Sequence, residues 1–162
     1  MTLKEKINQD YKEAFKAHEE KKVSVLRLLN AAIKNREVEK RTKLSKSETA
    51  DLEKESQLTD EEVLAVINSE SKRRKDSIEQ FKTGGRPELA AGEEAELKIL
   101  AAYLPEQIGE EEIRKLIKEA IAESNAMSAA DIGKVMKVLM PRVKGKADGN
   151  VVNKIVREEL EK

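Results

Sequence analysis

Apolar residues recur every three or four positions along most of this chain, which is the spacing of one face of an α-helix. At the N-terminus the spaced residues are Leu3, Ile7 and Tyr11, and Thr2 with Glu5 has the form of a capping box that would begin this helix. No segment shows the alternation of apolar and polar residues expected of a half-buried strand. The spacing therefore predicts an all-α fold.

The first part of the chain is predicted to hold about four helices. The second runs from about Lys22 to Lys40, and its apolar residues cover more than one stripe, so we expect it to be the central, most buried helix. Residues 41–58 are polar, and they form either a frayed extension of that helix or a loop. Another capping box, Thr59 with Glu62, begins the third helix.

Glycine and proline mark the remaining helix ends in this part of the chain. Gly84 and Gly85 end the third helix, because glycine readily adopts the left-handed conformation found after a helix. Pro87 suits the first turn of a fourth helix, where its missing N–H has no consequence, and Pro105 ends that helix.

The character of the chain changes after Pro105, and we place a domain boundary there. The N-terminal helical domain would span residues 1–106, and a small C-terminal domain of three helices would span residues 107–162. Ser128 with Asp131 is expected to cap the second of these short helices, which would stop at Pro141.

Charge and composition exclude several classes of function. The chain has 32 basic and 32 acidic residues, so no bulk attraction to nucleic acid is expected. It has no cysteine, which excludes disulfides, thiolate metal sites and thiol nucleophiles. No signal peptide and no apolar run of membrane-spanning length are visible, so we expect a cytoplasmic protein with no membrane partner.

The residues needed for catalysis are sparse. His18 is the single histidine, and one histidine without cysteine cannot form a common zinc site. Gly84 and Gly85 are not a phosphate loop, because no strand precedes them and the Gly-Lys-Ser/Thr element is absent. We identify no catalytic constellation, no metal site and no cofactor in the sequence, and whether the protein is an enzyme stays open at this point.

A basic stretch near the C-terminus is the strongest candidate for a binding surface. Residues 133–157 hold seven basic residues and a single acid, Asp148. In an extended segment Arg142, Lys144 and Lys146 would point to one side, and Lys134 and Lys154, with Lys137 and Arg157, would widen the patch. The alternative is a solvated turn followed by a helix that Asp148 caps.

Two other basic segments are weaker candidates. One lies on the second helix (Lys34, Arg36, Lys40, Arg41 and Lys43), and the other is the run of residues 72–75. All four aromatic residues precede the proposed boundary, so the C-terminal domain lacks platforms on which unpaired bases stack. An RNA partner would therefore be recognised through backbone charge and shape.

Three segments resemble the YqeY family. They are ADIGKVMKVLMPRVKGKADGNVVNKIV at residues 130–156, SESKRRKDSIEQF at 69–81 and AELKILAAYLPEQI at 95–108. That family shares its C-terminal domain with the tail of GatB, the B subunit of the glutamine-dependent amidotransferase that acts on mischarged Glu-tRNA or Asp-tRNA. In that enzyme the tail helps to hold tRNA, and the chemistry takes place elsewhere. The resemblance therefore implies a tRNA-contacting module.

The resemblance also assigns roles to individual residues and leaves three functions open. Gly133, Gly145 and Gly149 would serve the loop conformation, while Lys134, Lys144 and Lys146 would contact phosphate. The favoured hypothesis is a non-catalytic accessory protein that binds tRNA. The alternatives are a component of an amidotransferase, which is a carbon–nitrogen ligase with glutamine as amido-N-donor, and a scaffold that binds another protein.

Overall fold

The computed structural model describes residues 1–47 and 51–162, and within them the regular structure is entirely helical. The predicted all-α class is thereby confirmed. The chain divides into two compact units, Met1–Leu104 and Pro105–Lys162. Each unit has its own core, and we describe the two separately.

The N-terminal unit contains five helices and the C-terminal unit three, counted over the described ranges. The helices of the first are α1 (Leu3–Lys16), α2 (Glu20–Leu44), α3 (Leu52–Glu55), α4 (Asp60–Thr83) and α5 (Pro87–Ala101). Those of the second are α6 (Glu110–Ser124), α7 (Ile132–Val143) and α8 (Gly149–Leu160), with a short 3₁₀ turn, Ala129–Asp131, before α7.

Both predicted capping boxes are confirmed. The Thr2 hydroxyl accepts a hydrogen bond from the Glu5 N–H at 3.2 Å, and the Thr2 N–H donates to the Glu5 carboxylate at 2.8 Å. Thr59 and Glu62 make the same reciprocal pair at the start of α4, at 3.3 Å and 2.8 Å. Each box satisfies two backbone donors that have no partner inside the helix.

The second helix is longer than the sequence predicts, and one of its faces is buried. It continues to Leu44, so the start of the 41–58 segment is helical, although residues 48–50 of that segment lie outside the described residues. One face of α2 packs Leu26, Leu29 and Ile33 into the core with Ile7, Ile67 and Leu100. Leu28, Ala31 and Val38, which lie off this face, are exposed.

The core of the C-terminal unit is made of aliphatic side chains from all three helices. Ile113 and Ile117 of α6, Val135 and Leu139 of α7, and Val152 and Val156 of α8 belong to one buried cluster. Their regular spacing gives each short helix one apolar face. The cluster fixes α7 and α8 against α6, and it therefore positions the basic residues of interest.

The prediction that α7 stops at Pro141 is wrong. The helix continues to Val143, whose side chain is 2% exposed, and the Lys144 N–H donates to the Met140 carbonyl at 2.9 Å. Proline removes one helical hydrogen bond and crowds the preceding turn. Burial of Val143 and the terminal hydrogen bond offset that disadvantage.

The predicted cap before α7 also differs from the structure. Ser128 precedes the 3₁₀ turn, and its side chain makes no capping hydrogen bond. The carboxylate of Asp131 instead accepts from the Met127 N–H at 3.0 Å, and this bond lowers the pKa of Asp131, with Lys134 adding to the effect. Asp131 thus holds the connection between α6 and α7.

Candidate nucleic-acid interface

The basic stretch forms a helix end and a tight turn, not the extended segment that the sequence suggested. Arg142 lies in α7, and after Lys144 the backbone turns at Gly145, which has a φ of 77°. The N–H groups of Lys146 and Ala147 both donate to the Val143 carbonyl, at 2.9 and 3.1 Å. The extended segment from which Arg142, Lys144 and Lys146 were expected to point to one side is therefore not found.

The turn is held by the chain segment that opens the C-terminal unit. The Ile108 N–H donates to the Lys146 carbonyl at 3.0 Å, and the Gln107 side-chain amide donates to the Gly145 carbonyl at 2.7 Å. The same amide also bonds the Pro105 carbonyl at 2.9 Å. These bonds fix the backbone between α7 and α8, so the side chains there start from a defined position.

Of the three glycines expected to shape the loop, only Gly145 has a positive φ. A Cβ built on it would meet the Pro105 ring at 3.6 Å, which is ordinary contact. Gly133 lies in the first turn of α7 and Gly149 begins α8, and an added Cβ would meet nothing at either. The loop conformation expected for Gly133 and Gly149 is therefore not found, because both positions are helical.

Arg142 is engaged with α6. Its guanidinium reaches both carboxylate oxygens of Glu123, at 2.7 and 2.8 Å, and lies 3.8 Å from Glu119. The contact with Glu123 raises the pKa of Arg142. Two neighbouring carboxylates thus compensate this charge, and Arg142 is less available to a phosphate than its place in the sequence indicates.

A second arginine joins α6 to α8. Arg114 contacts Glu110 at 2.8 Å, Glu158 at 3.2 Å and Glu159 at 3.0 Å. These hydrogen bonds raise the pKa of Arg114, and the bond with Glu110 has the largest effect. Sequence reasoning missed this residue, because two of its three partners lie more than forty positions away. Arg114 thus binds one carboxylate of α6 and two of α8.

The lysines named from the sequence are exposed. Lys134 pairs with Asp131 at 3.1 Å, while Lys144 and Lys146 lie on the turn and Lys154 lies on α8. Lys146 and Lys154 make no ion pair with any residue in 1–47 or 51–162. The same holds there for two further bases of α7 and α8, Lys137 and Arg157.

Helical phase places Lys137 of α7 and Lys154 of α8 on the sides of these helices away from α6. Arg142 marks the side of α7 that meets α6, and Lys137, five residues earlier, lies about 140° round the helix from it. Glu159 lies on the side of α8 that faces α6, because it binds Arg114 of α6. Lys154 is five residues before Glu159 and therefore lies about 140° round α8 from it. The unit therefore separates a charge-paired edge from a basic one.

The N-terminus of α8 is occupied by a residue of the chain. Asp148 is the N-cap, and its carboxylate accepts from the Asn150 N–H at 2.8 Å. A carboxylate at this position would repel an incoming anion while it satisfies a backbone donor. Binding of a phosphate by this surface would therefore depend on lysine and arginine side chains.

In the two other basic segments some of the bases are already paired with carboxylates. In the run of residues 72–75, Arg74 is buried against α5 and lies 3.1 Å from Glu96, while Arg73 pairs with Glu70 at 3.3 Å. On α2, Lys40 pairs with Glu62 at 2.8 Å. Carboxylates therefore compensate part of the charge that the sequence displays in these segments.

No three or more histidine, cysteine, aspartate or glutamate side chains in residues 1–47 and 51–162 come together in an arrangement that could hold a metal ion. No helix within those ranges is both long and apolar enough to cross a membrane.

The fold and surface together define a class: two-unit helical proteins with a small, aliphatic C-terminal unit that presents bases on α7 and α8. Comparison with known proteins then identifies the family. The model of the family described as Yqey-like protein matches residues 4–160, and the chain belongs to that family.

Two fungal proteins are similar to this chain. One is altered inheritance of mitochondria protein 41, mitochondrial, from Pyrenophora tritici-repentis, 34% identical over 103 residues, which are 62% of this chain and 56% of that protein. The other is an uncharacterized protein of Schizosaccharomyces pombe, 40% identical over 63 residues, 39% of this chain and 51% of that protein. The similarity spans about half the length of each relative.

Proposed function

We propose that the protein is a non-catalytic accessory protein that binds tRNA through the basic side of α7, the following turn and α8. The observation that carries the proposal is the set of four exposed bases that lack an ion pair in the described ranges: Lys137, Lys146, Lys154 and Arg157. Arg114 and Arg142, which join α6 to α8 and α7, are by contrast compensated by carboxylates.

Binding would rest on phosphate charge and on shape. Each lysine that replaces counterions on the nucleic-acid backbone contributes to affinity without reading sequence. The fixed turn at Gly145 supports this role, because Lys146 is attached to a backbone that two hydrogen bonds hold in place. The unit has no aromatic residue for stacking, so a folded RNA suits it better than an unpaired strand.

The proposal is tested by fluorescence anisotropy of labelled tRNA across a salt series. We compare the wild type with a variant in which Lys137, Lys146 and Lys154 are alanine. Each lost phosphate contact should make the log–log salt dependence shallower by roughly 0.7 to 0.9, so the variant should lose about two to three units.

A charge-matched control separates a local surface from general attraction. Changing Lys21, Lys72 and Lys75 to alanine removes the same charge from exposed positions of the N-terminal unit. This control should bind tRNA as the wild type does. Equal weakening in both variants, or no saturable binding of tRNA at low salt, would refute the proposed interface.

The resemblance to the GatB tail supports one alternative, a component that acts with a glutamine-dependent amidotransferase. Purified amidotransferase subunits would then retain this chain on a column, and amidation of Glu-tRNA in a reconstituted mixture would depend on it. Retention without any effect of the Lys137, Lys146 and Lys154 variant on tRNA binding would favour this alternative over the proposed one.

The location of the protein can be tested independently. We expect the cytoplasm, although the name of the Pyrenophora relative places that protein in mitochondria. Tagged full-length protein should be imaged beside a mitochondrial marker. Coincidence with the marker would replace the cytoplasmic proposal.

A further inference from the structure

The outward face of α2 carries a continuous uncharged stripe. All of its residues are exposed, and successive ones are alternately four and three positions apart. They are Ser24, Leu28, Ala31, Asn35, Val38 and Thr42. Leu28 is 54% exposed and Val38 is 55% exposed. Because 40% of the chain is charged, a solvated face of this length would be expected to hold charges at several of these positions. We refer to these six residues as the α2 stripe.

The spacing of the α2 stripe is that of the a and d positions of a heptad repeat. A second helix laid along such a seam packs its side chains between those of the first. Asn35 lies near the middle of the stripe at an a position, where a polar residue fixes register at some loss of stability. The stripe thus has the features of a specific seam for one helix.

The charges beside the stripe are unequal on its two sides. Arg27, Lys34 and Arg41 follow one side at intervals of seven residues, and all three are exposed. None of them makes an ion pair with a residue in the described ranges. On the other side Arg36 is compensated by Glu39 at 2.8 Å.

A groove adjoins the compensated side. It lies between α2 and α4 and has a volume of about 470 Å³. Small side chains line it beside Asn35, namely Ala32, Ala65 and Ser69. Small residues let two backbones approach closely, so a helix placed on the stripe could also contact α4.

We propose that the α2 stripe docks an amphipathic helix of a partner protein that carries acidic residues at seven-residue intervals along one side. The heptad spacing of the stripe, with Leu28, Ala31 and Val38 on it, accounts for a helical partner. The row of Arg27, Lys34 and Arg41 accounts for the acids. An RNA would meet Leu28 and Val38 at the centre of the surface, where neither side chain can contact a phosphate favourably.

A second copy of the chain fits less well. In an antiparallel pair the row of Arg27, Lys34 and Arg41 would face its own equivalent, which is repulsive. In a parallel pair Lys34 would face Glu39, which already binds Arg36 within its own chain. Charge complementarity therefore favours a different protein over self-association.

The test selects helical peptides on the full-length protein. The library consists of displayed amphipathic helices about four heptads long, with leucine and alanine fixed at the seam and Glu, Gln or Lys at every flanking position. The enriched peptides should carry glutamate along one flank at seven-residue spacing. One such peptide is then synthesised with a fluorescent label and titrated with protein variants.

Two variants should weaken binding of this peptide and one should not. Changing Arg27, Lys34 and Arg41 to glutamate should weaken it by about tenfold or more, because three exposed pairs change from attraction to repulsion. Changing Leu28 and Val38 to glutamine should weaken it similarly. Leu89→Gln alters an exposed apolar residue of α5 and should leave binding unchanged.

Several results would overturn the proposal. These are the absence of glutamate enrichment, a labelled peptide that binds all variants equally, and a dimer in sedimentation that is lost when Leu28 and Val38 are glutamine. Loss of tRNA binding on charge reversal, with peptide binding intact, would assign the surface to RNA. Retained tRNA binding in the Leu28 and Val38 variant would separate this surface from the interface on α7 and α8.

Discussion

Replacing Gly145 by alanine tests whether the turn between α7 and α8 is a fixed part of the C-terminal unit. Gly145 has a φ of 77°, a conformation that L-residues adopt at a cost of roughly 1–2 kcal/mol. The new Cβ would only touch the Pro105 ring, at 3.6 Å, so steric overlap adds little. Backbone strain therefore determines the expected loss of about 1–2 kcal/mol.

Gly133→Ala is a matched control, for which we expect a change in stability of the opposite sign. Gly133 lies in the first turn of α7 without a positive φ, and its Cβ would meet no atom within 4 Å. Alanine stabilises a helix by up to about 1 kcal/mol relative to glycine. The same substitution should therefore destabilise the unit at Gly145 and stabilise it slightly at Gly133.

Hydrogen exchange of backbone amides measures both effects in the full chain. The backbone amides of the core residues Val135, Leu139 and Val156 should exchange about 5 to 30 times faster in Gly145→Ala than in the wild type. This factor corresponds to a loss of about one or two kcal/mol in the unfolding free energy. These amides should exchange as slowly as in the wild type, or more slowly, in Gly133→Ala. Unchanged exchange in Gly145→Ala would refute the argument that the turn is coupled to the core.

Three further predictions concern the N-terminal unit. Thr59→Ala removes the cap of α4 and should lower the unfolding free energy by about 1 kcal/mol in urea titrations, whereas an unchanged midpoint would contradict this. The pKa of Glu62 is lowered, mainly because its carboxylate accepts a hydrogen bond from Lys40. The stabilising effect of this bond is therefore present above pH 4.5 and is lost as the pH falls through the lowered pKa; Glu62→Gln should flatten the stability profile there. The Tyr103 hydroxyl donates to Asp10 at 2.6 Å, and Tyr103→Phe should cost about 1–2 kcal/mol. A cost near zero by thermal unfolding would show that water replaces this bond.

Local chemistry explains which parts of the fold the sequence predicts. The capping boxes at Thr2 and Thr59 depend on residues three positions apart, and the cap at Asp148 on residues two apart, so their signals are complete within one turn. Pro141 misleads because burial of the next turn outweighs a local preference against continuing the helix. The helical propensity of a segment is a weak guide wherever tertiary packing decides its end.

The candidate interface was only partly visible in the sequence for a related reason. The sequence locates the basic residues, but it does not show that Arg142 turns toward Glu119 and Glu123 of α6. One signal was available, since two acids four residues apart share a face of a helix and favour an arginine beside them. Identifying that arginine still requires the packing angle of α7 on α6, which depends on the whole core.

The aliphatic core of the C-terminal unit has a practical consequence for spectroscopy. Both tyrosines, Tyr11 and Tyr103, belong to the N-terminal unit, and the chain has no tryptophan. Intrinsic fluorescence therefore follows only the N-terminal unit, while circular dichroism follows both units. A single tryptophan at Met140, a partly exposed position of α7, would report the C-terminal unit when it is excited at a wavelength that tyrosine does not absorb.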